Sequence, residues 1–404
     1  MLYDVFQFMC RRFARWQRQM SAFDLLNPIT MCVLSLLGIA FMYSIQKDSS
    51  VLTFKWKTQV LWLVLGSCVY CITAHIHYKI FFQNAHWFYI ASFFLLLLLF
   101  TPLGKTLGGS RRWLSLGFIT LQPSDFSKIA TLLMVSSLLT RVQMTQFSES
   151  FSTLLYVFAL SGFSFFLIFL QPDLGSAMVL PAMVLGVLFV SRLSLRFFFA
   201  FFYVCLLGIV LIFADTYAYY CRIKQKNTYL RTFLPLKDYQ RNRILAFAVP
   251  SSIDPNGVHV GWHLKQSLIA IGSGGLWGKG WTKNTQAKLG YLPKAASLDD
   301  FIFSVLAEET GLFGTYFVLV FYLILIFNTL RIAMMARDRF GCYLSVGVAI
   351  MTATHMWINI GMTLGIMPIT GVPLPFLSYG GSFMLISFFS QGLVQSVYRF
   401  RFAE

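Results

Sequence analysis

Long apolar stretches separated by shorter polar ones run through this chain from about residue 25 to its end. Ten apolar runs lie near 25–45, 60–76, 87–104, 124–141, 153–170, 175–191, 197–217, 301–332, 342–363 and 380–397. A helix that crosses a bilayer needs about 20 mostly apolar residues. Several runs fall short of that or carry charge at one end, and the eighth is long enough to begin above the bilayer. Lipid offers an unpaired backbone group no partner, so the runs predict helices rather than open strands. No internal repeat and no Gly/Ser-rich linker divides the chain. It reads as one domain over 1–404, an all-α integral membrane protein with about ten transmembrane helices.

Charge gives the runs a direction. Residues 1–24 hold Arg11, Arg12, Arg15 and Arg18 among Phe, Trp and Met, the pattern of a basic amphipathic helix on a membrane surface. An apolar run follows, but no small-residue cleavage site comes after it, so a removed signal peptide fits less well. With ten spans both termini lie on one side. That side carries these four arginines together with Lys79, Arg141, Arg192, Arg196, Arg331, Arg337, Arg339, Arg399 and Arg401. The short loops of the other side hold Lys47, Lys55, Lys57, Lys105, Arg111 and Arg112, with Lys128 at a helix mouth. The excess predicts cytoplasmic termini in a bacterial inner membrane. A large extracytoplasmic loop, 218–298, then separates spans seven and eight. It carries 12 Lys or Arg against Asp238 and Asp254. Long loops cross regardless of charge, and loops of this length in a compact protein are usually functional.

Composition narrows the class further. The chain is 57% hydrophobic, 12% charged and formally +17. About twice that charged fraction is usual for soluble chains, and disorder needs low hydrophobicity. With this apolar mass, the basic excess points to anionic lipid rather than nucleic acid. The seven cysteines show neither disulfide nor zinc spacing, and Cys68 and Cys71 read as packing inside an apolar run.

Four polar clusters fall on the outer side of this topology. The first joins Gly109-Ser110-Arg111-Arg112-Trp113 to Gln122-Pro123-Ser124-Asp125-Phe126-Ser127-Lys128. Pro123 suits a first helical turn, Ser124 or Asp125 can cap it, and Lys128 can pair with Asp125 three residues earlier. Arg111 and Arg112 are either interfacial anchors or bidentate phosphate ligands. The second cluster, Gln171 to Ser176, reads as a tight turn with Asp173 as helix cap or as an acid at a membrane mouth. The third runs from Tyr239 through Arg243 and Lys265–Gly275 to Lys279, then Asp299-Asp300-Phe301. Its glycines do not have P-loop spacing. Asp299 and Asp300 enter a helix, where one of them suffices as an N-cap and a general base is the alternative. Glu308 and Glu309 lie about 12 Å deeper at 1.5 Å per residue, where acids need partners. The fourth, Asn359 to Ser382, holds Pro368, Pro373 and Pro375 and several glycines. It predicts a structured re-entrant or surface loop.

Taken together, these motifs resemble the SEDS family, the RodA, FtsW and SpoVE proteins of bacterial peptidoglycan synthesis. The resemblance spans nearly the whole chain. It rests on Arg112-Trp113, Gln122-Pro123-Ser124, Gln171 to Gly175, Gln266-Ser267 to Gly275, Phe301-Ile302-Phe303 with Ala307-Glu308-Glu309, and Pro373 to Gly381. Met367-Pro368-Ile369-Thr370-Gly371-Val372-Pro373 looks more like the elongation (RodA) branch than the division branch. What the resemblance implies is a glycosyltransferase that polymerises lipid II into glycan strands during elongation and shape maintenance. It implies a class B penicillin-binding transpeptidase as partner, and Asp300 at the family's essential acid. The chain departs from the pattern at Lys294, at Leu298-Asp299, in a segment from Pro293 about two residues longer, and at Asp125, where the family has Glu. Asp299 is therefore a second candidate base.

In that reading Asp300 or Asp299 removes a proton from the acceptor sugar. Arg112, Lys128, Arg243 and Lys279 stabilise the departing undecaprenyl pyrophosphate, and Gln266, Ser267, Ser378 and Tyr379 contact substrate. No His/Cys/Asp set has metal-ligand spacing, so no cofactor is assigned. A divalent ion between phosphates and one carboxylate stays compatible with the sequence. The rival reading is a lipid II flippase using the same lipid and loop, with Asp173, Glu308 and Glu309 along a polar path.

Overall fold

The computed structural model describes residues 23–402 except 48–54, 108–109, 116–119, 143–146, 172, 192–194, 226–232, 235, 237, 249–260 and 293. The basic amphipathic segment expected at 1–24 lies almost wholly outside the described residues. All ten apolar runs are helical. They are α1 (Leu26–Gln46), α2 (Lys55–His75), α4 (Ala85–Leu98), α5 (Pro123–Arg141), α6 (Phe147–Leu170) and α7 (Leu174–Val190). After these come α8 (Leu195–Gln225), α12 (Ile302–Met335), α13 (Arg339–Thr363) and α14 (Gly381–Arg399), with a short α3 (Tyr78–Gln83) preceding α4. Six of them, α1, α2, α6, α8, α12 and α13, are long and apolar enough to cross a membrane by length and composition. The others are short, as α4 and α7 are, or turn polar side chains inward. Helix α5 buries Ser124, Asp125, Ser127, Lys128, Thr131 and Ser136, which lowers its hydropathy without exposing it. The chain is a multi-pass membrane protein.

One apolar core joins α5, α7, α13 and the inner face of α14 through Leu132, Leu180, Val184, Tyr343 and Leu393. A second joins α1, α12 and α14 through Leu34, Met42, Ile302, Leu306, Leu377 and Phe388. Helix α2 lies along α14, α12 along α13 and α1, and α13 along α7.

Two connections differ from expectation. Residues 104–121 are not a plain loop: β1 (Gly104–Leu107), β2 (Ser110–Ser115) and β3 (Thr120–Leu121) form an antiparallel sheet in that order. Counting apolar runs overlooks it, because short strands between helices satisfy their backbone by pairing with each other rather than by hydropathy. The described residues of the large loop include helices. Helix α8 runs on to Gln225, followed by α9 (Asp238–Ala248), α10 (Trp262–Gly274) and α11 (Lys294–Leu298).

Helix α12 breaks its backbone ladder at Gly311, where φ is 67°. The segment after α10 fills the gap. Lys279 and Gly280 donate their N–H groups to the carbonyls of Glu308 and Glu309, each at 3.0 Å, and Leu312 N–H donates to Gly275 O at 2.9 Å. The loop is thereby bonded to the helix it precedes.

Residues 364–380 leave the helical path, as their prolines require, and fold back into the protein. Val372, Leu374, Phe376 and Leu377 are at most 2% exposed. Their backbone finds partners inside: Tyr322 Oη donates to Pro375 O, and Gln59 Nε2 to Ser378 O at 3.2 Å. Non-helical backbone at this depth is tolerated only when it is bonded in this way.

Candidate active site

The turn ahead of α12 carries both candidate acids. Phe301 is the N-cap residue, and no side chain caps the helix. Neither Asp299 nor Asp300 spends its carboxylate on capping, so the structural role that the sequence offered is not what they perform. Their backbone is tied to the re-entrant loop instead. Asn359 Nδ2 on α13 donates to Asp300 O at 2.9 Å and to Val372 O at 2.7 Å. Ser378 Oγ donates to Asp299 O at 2.6 Å and accepts from Leu374 N–H at 2.8 Å. Tyr379 N–H donates to Leu298 O at 3.0 Å. Ser378, predicted to touch substrate, holds the acid-bearing turn.

Gly371 marks the point where the charged groups converge. Its φ is +74°, and a Cβ there would stand 3.2 Å from Asp300 Oδ2 and 3.9 Å from Arg243 Nη1. Arg243, on α9 in the large loop, thus reaches the acid that opens α12. Next to this pair lies Asp173, the N-cap of α7, which accepts from Ser176 N–H at 3.3 Å. Arg112 Nη1 stands 3.5 Å from Asp173 Oδ1, and Gln122 Nε2 donates to Asp173 Oδ2 at 3.0 Å. Ser124 Oγ donates to Asp173 Oδ2 at 3.4 Å rather than capping α5. The side chain of Arg111 lies outside the described residues.

Burial and this charge pattern set the acidity. Burial pushes Asp300 up to about 6, against the pull of Arg243 and Arg112 and with a small push from Asp173. Burial and the adjacent Asp300 charge push Asp299 to about 7, with Lys55 opposing. Both carboxyls therefore exchange protons near neutrality, the range that suits general base work. Lys55 Nζ also sits over the Tyr379 ring, 4.7 Å from its centroid.

The remaining predicted residues take other positions. Lys128 is 2% exposed and lies within the bundle. Its Nζ is 2.8 Å from Asp125 Oδ1, the pair the spacing predicts, and 3.0 Å from His355 Nε2. His355 Nδ1 faces Met351 O at 2.8 Å, which assigns the proton to Nδ1 and leaves Nε2 to accept from the lysine. A cavity with room for about one water borders Asp125, Lys128, His355, Phe376 and Phe383. Lys279 Nζ pairs with Glu308 Oε1 at 2.6 Å and donates to Thr285 Oγ1 at 2.8 Å. That is about 12 Å along α12 from Asp300 at 1.5 Å per residue. It neutralises a buried acid rather than joining the Asp300 cluster, and Glu309 is bonded by Ser44 and Asn284. Ser267 Oγ donates to Thr363 O at 2.8 Å and lies 2.7 Å from Ser304 Oγ. It fastens α10 to α12 and α13, and Gln266 beside it is buried as well.

The structure thus brings Asp299, Asp300, Arg243, Arg112, Ser378 and Tyr379 to one end of the bundle, keeps Lys128, Gln266 and Ser267 in helix packing, and pairs Lys279 of the loop after α10 with Glu308. Asp173, read from the sequence as a helix cap or an acid at a membrane mouth, does cap α7 and also stands at the centre of the polar cluster. Asn359 lay inside a quoted motif, but its role needs two loops that meet only in the fold. Sequence spacing gave no sign of His355.

Comparison with known proteins agrees with this arrangement. The model of the FtsW/RodA/SpoVE family, described as cell cycle protein, matches residues 24–402. Peptidoglycan glycosyltransferase MrdB of Escherichia coli K12 is 35% identical over 340 residues, covering 84% of each chain. Peptidoglycan glycosyltransferase RodA of Treponema pallidum is 31% identical, covering 94% of this chain and 98% of its own. Among solved structures, a chain from a peptidoglycan synthase complex that coordinates polymerization and crosslinking superposes with a TM-score of 0.72. It shares 26% identity and covers 95% of this chain and all of its own. Thermus thermophilus RodA gives a TM-score of 0.66 at 24% identity, a likeness of fold. With nearly every described residue inside the matched span, the chain belongs to the FtsW/RodA/SpoVE family.

Proposed function

We propose that this protein is a peptidoglycan glycosyltransferase that polymerises lipid II, with Asp300 as general base. One observation carries the assignment of roles. A carboxyl that titrates near neutrality and an arginine of the large basic loop both approach Gly371, at the end of the bundle where α12 begins. The relatives' names supply the reaction class. In the reaction Asp300 takes the proton of the acceptor sugar 4-hydroxyl. The freed oxygen attacks the anomeric carbon of the lipid-linked donor as the bond from that carbon to the phosphate oxygen breaks. Undecaprenyl pyrophosphate leaves with the electron pair, and the anomeric centre inverts. Arg243 and Arg112 stabilise the charge that develops on the pyrophosphate, a term that grows only as the bond breaks and so lowers the barrier.

The reading places the Asp300 end outside the cytoplasm and both termini inside, as the basic residues of the short loops favour. A class B penicillin-binding transpeptidase is the partner this activity calls for, since a glycan strand is cross-linked as it grows.

Purified protein given labelled lipid II should produce glycan ladders. Translocation of lipid II across liposomes with no ladder would overturn the proposal in favour of the flippase. The pH profile adds a second check. Asp300 works in its ionised form, so ladder formation should rise with pH through about 6, where that carboxyl loses its proton. A flat rate from pH 5 to 8 would exclude it as the base.

A further inference from the structure

The large loop contains a buried ion pair that the proposed chemistry does not use. Asp215, in the last third of α8, has no exposed surface, and Arg241, in the second turn of α9, is 4% exposed. Arg241 Nε donates to Asp215 Oδ2 at 2.8 Å, Nη1 to Leu236 O at 2.7 Å and Nη2 to Leu234 O at 2.9 Å. Nη1 also lies 3.3 Å from Asp238 Oδ1, and the guanidinium sits over the Tyr219 ring at 5.4 Å. On the other side Asp215 Oδ1 accepts from Phe233 N–H at 2.7 Å and from Leu234 N–H at 3.0 Å. All these bonds fall between residues 215 and 241, so one pair joins the last third of α8, Phe233, Leu234 and Leu236, and the start of α9. The planar guanidinium fork accepts only a narrow geometry, and a buried pair gives little net stability over apolar packing. Orientation is what such a pair supplies.

Arg243 follows two residues later. At about 100° per helical residue, it projects to the side of α9 opposite Arg241. One side of α9 is therefore anchored to α8 while the other carries the arginine that converges with Asp300 at Gly371. Helix α9 packs against α8 and buries Ile244, Leu245 and Ala246, and to this apolar packing the ion pair adds a directional contact on the side away from Arg243. We infer that Asp215 and Arg241 form a latch that positions Arg243 over Asp300. The inference rests on the reading of Arg243 as a leaving-group cation.

A double-mutant cycle on the full-length protein, with labelled lipid II as substrate, tests it. Arg241→Ala and Asp215→Asn should each lower kcat by about 10- to 100-fold, the cost of misplacing one positioning group, with a smaller change in KM. Arg241→Lys keeps a cation beside Asp215 but loses the fork to Leu234 and Leu236, and should recover part of that loss. In an Arg243→Ala background, Arg241→Ala should have no further effect, because coupled residues are not additive. Additive losses, or a wild-type kcat in Arg241→Ala while Arg243→Ala is impaired, would overturn the latch. A wild-type kcat in Arg243→Ala would instead remove the reading of Arg243 on which the latch rests.

Discussion

Asp300→Asn should abolish glycan ladders while leaving the protein folded. A positioned base contributes about 10²- to 10⁴-fold in rate, and an amide in the same place holds no lone pair basic enough to take the acceptor proton. The substitution keeps the side chain's size. It also leaves untouched the bond from Asn359 to the Asp300 carbonyl, which holds the turn in place. Monodisperse protein with an unfolding temperature close to wild type, but with ladder formation reduced at least a hundredfold, is the expected pair of results. Asp299→Asn is the companion measurement. Asp299 reaches the cluster from the Lys55 and Tyr379 side rather than from Arg243, so its loss should leave ladders visible. Ladders that persist in both variants would exclude both acids as the base.

Lys128→Met should destabilise the protein strongly for a reason unrelated to substrate. Its ammonium is the cation paired with Asp125, and both side chains are at most 3% exposed. Removing one member of a buried pair strands the other charge, at a cost of about 3–5 kcal/mol. Replacing both by neutral residues of similar shape, as in Lys128→Met with Asp125→Asn, should restore most of that stability. Thermal and denaturant unfolding in detergent provide the measurement. A single variant as stable as wild type would show that Lys128 is not committed to Asp125. A stable double variant that makes no ladders, with lipid II binding lost, would return Lys128 to the substrate.

The two variants divide the basic and acidic residues that sequence reasoning had grouped together. Arg112 and Lys128 look equivalent in the chain, since both stand in polar motifs at helix mouths. They separate because Arg112 lies on a strand beside Asp173, whereas Lys128 lies one turn inside α5, facing α13. Lys279 looks like another surface cation of a basic loop, but its loop folds back onto the broken turn of α12, where Glu308 needs a partner. The prolines of 368–375 marked a break in the helix, and the break is present. What they could not give is that the broken segment turns inward to hold Asp299 and Asp300 by their carbonyls.

The sequence by itself determined the ten helices, the non-helical segment near residue 370, the Asp125–Lys128 pair and, through its motifs, the family. The first three follow from local chemistry: apolar length matched to lipid, proline's missing N–H, and a side chain three residues from its partner. Only the tertiary structure decided which polar residues meet. Arg243 and Asp300 are 57 positions apart, and Arg112 and Asp173 are 61. What brings them together is helix packing, the latch at α8 and the fold-back of a loop. These are contacts between distant segments, and their energies depend on burial and geometry that no local pattern records.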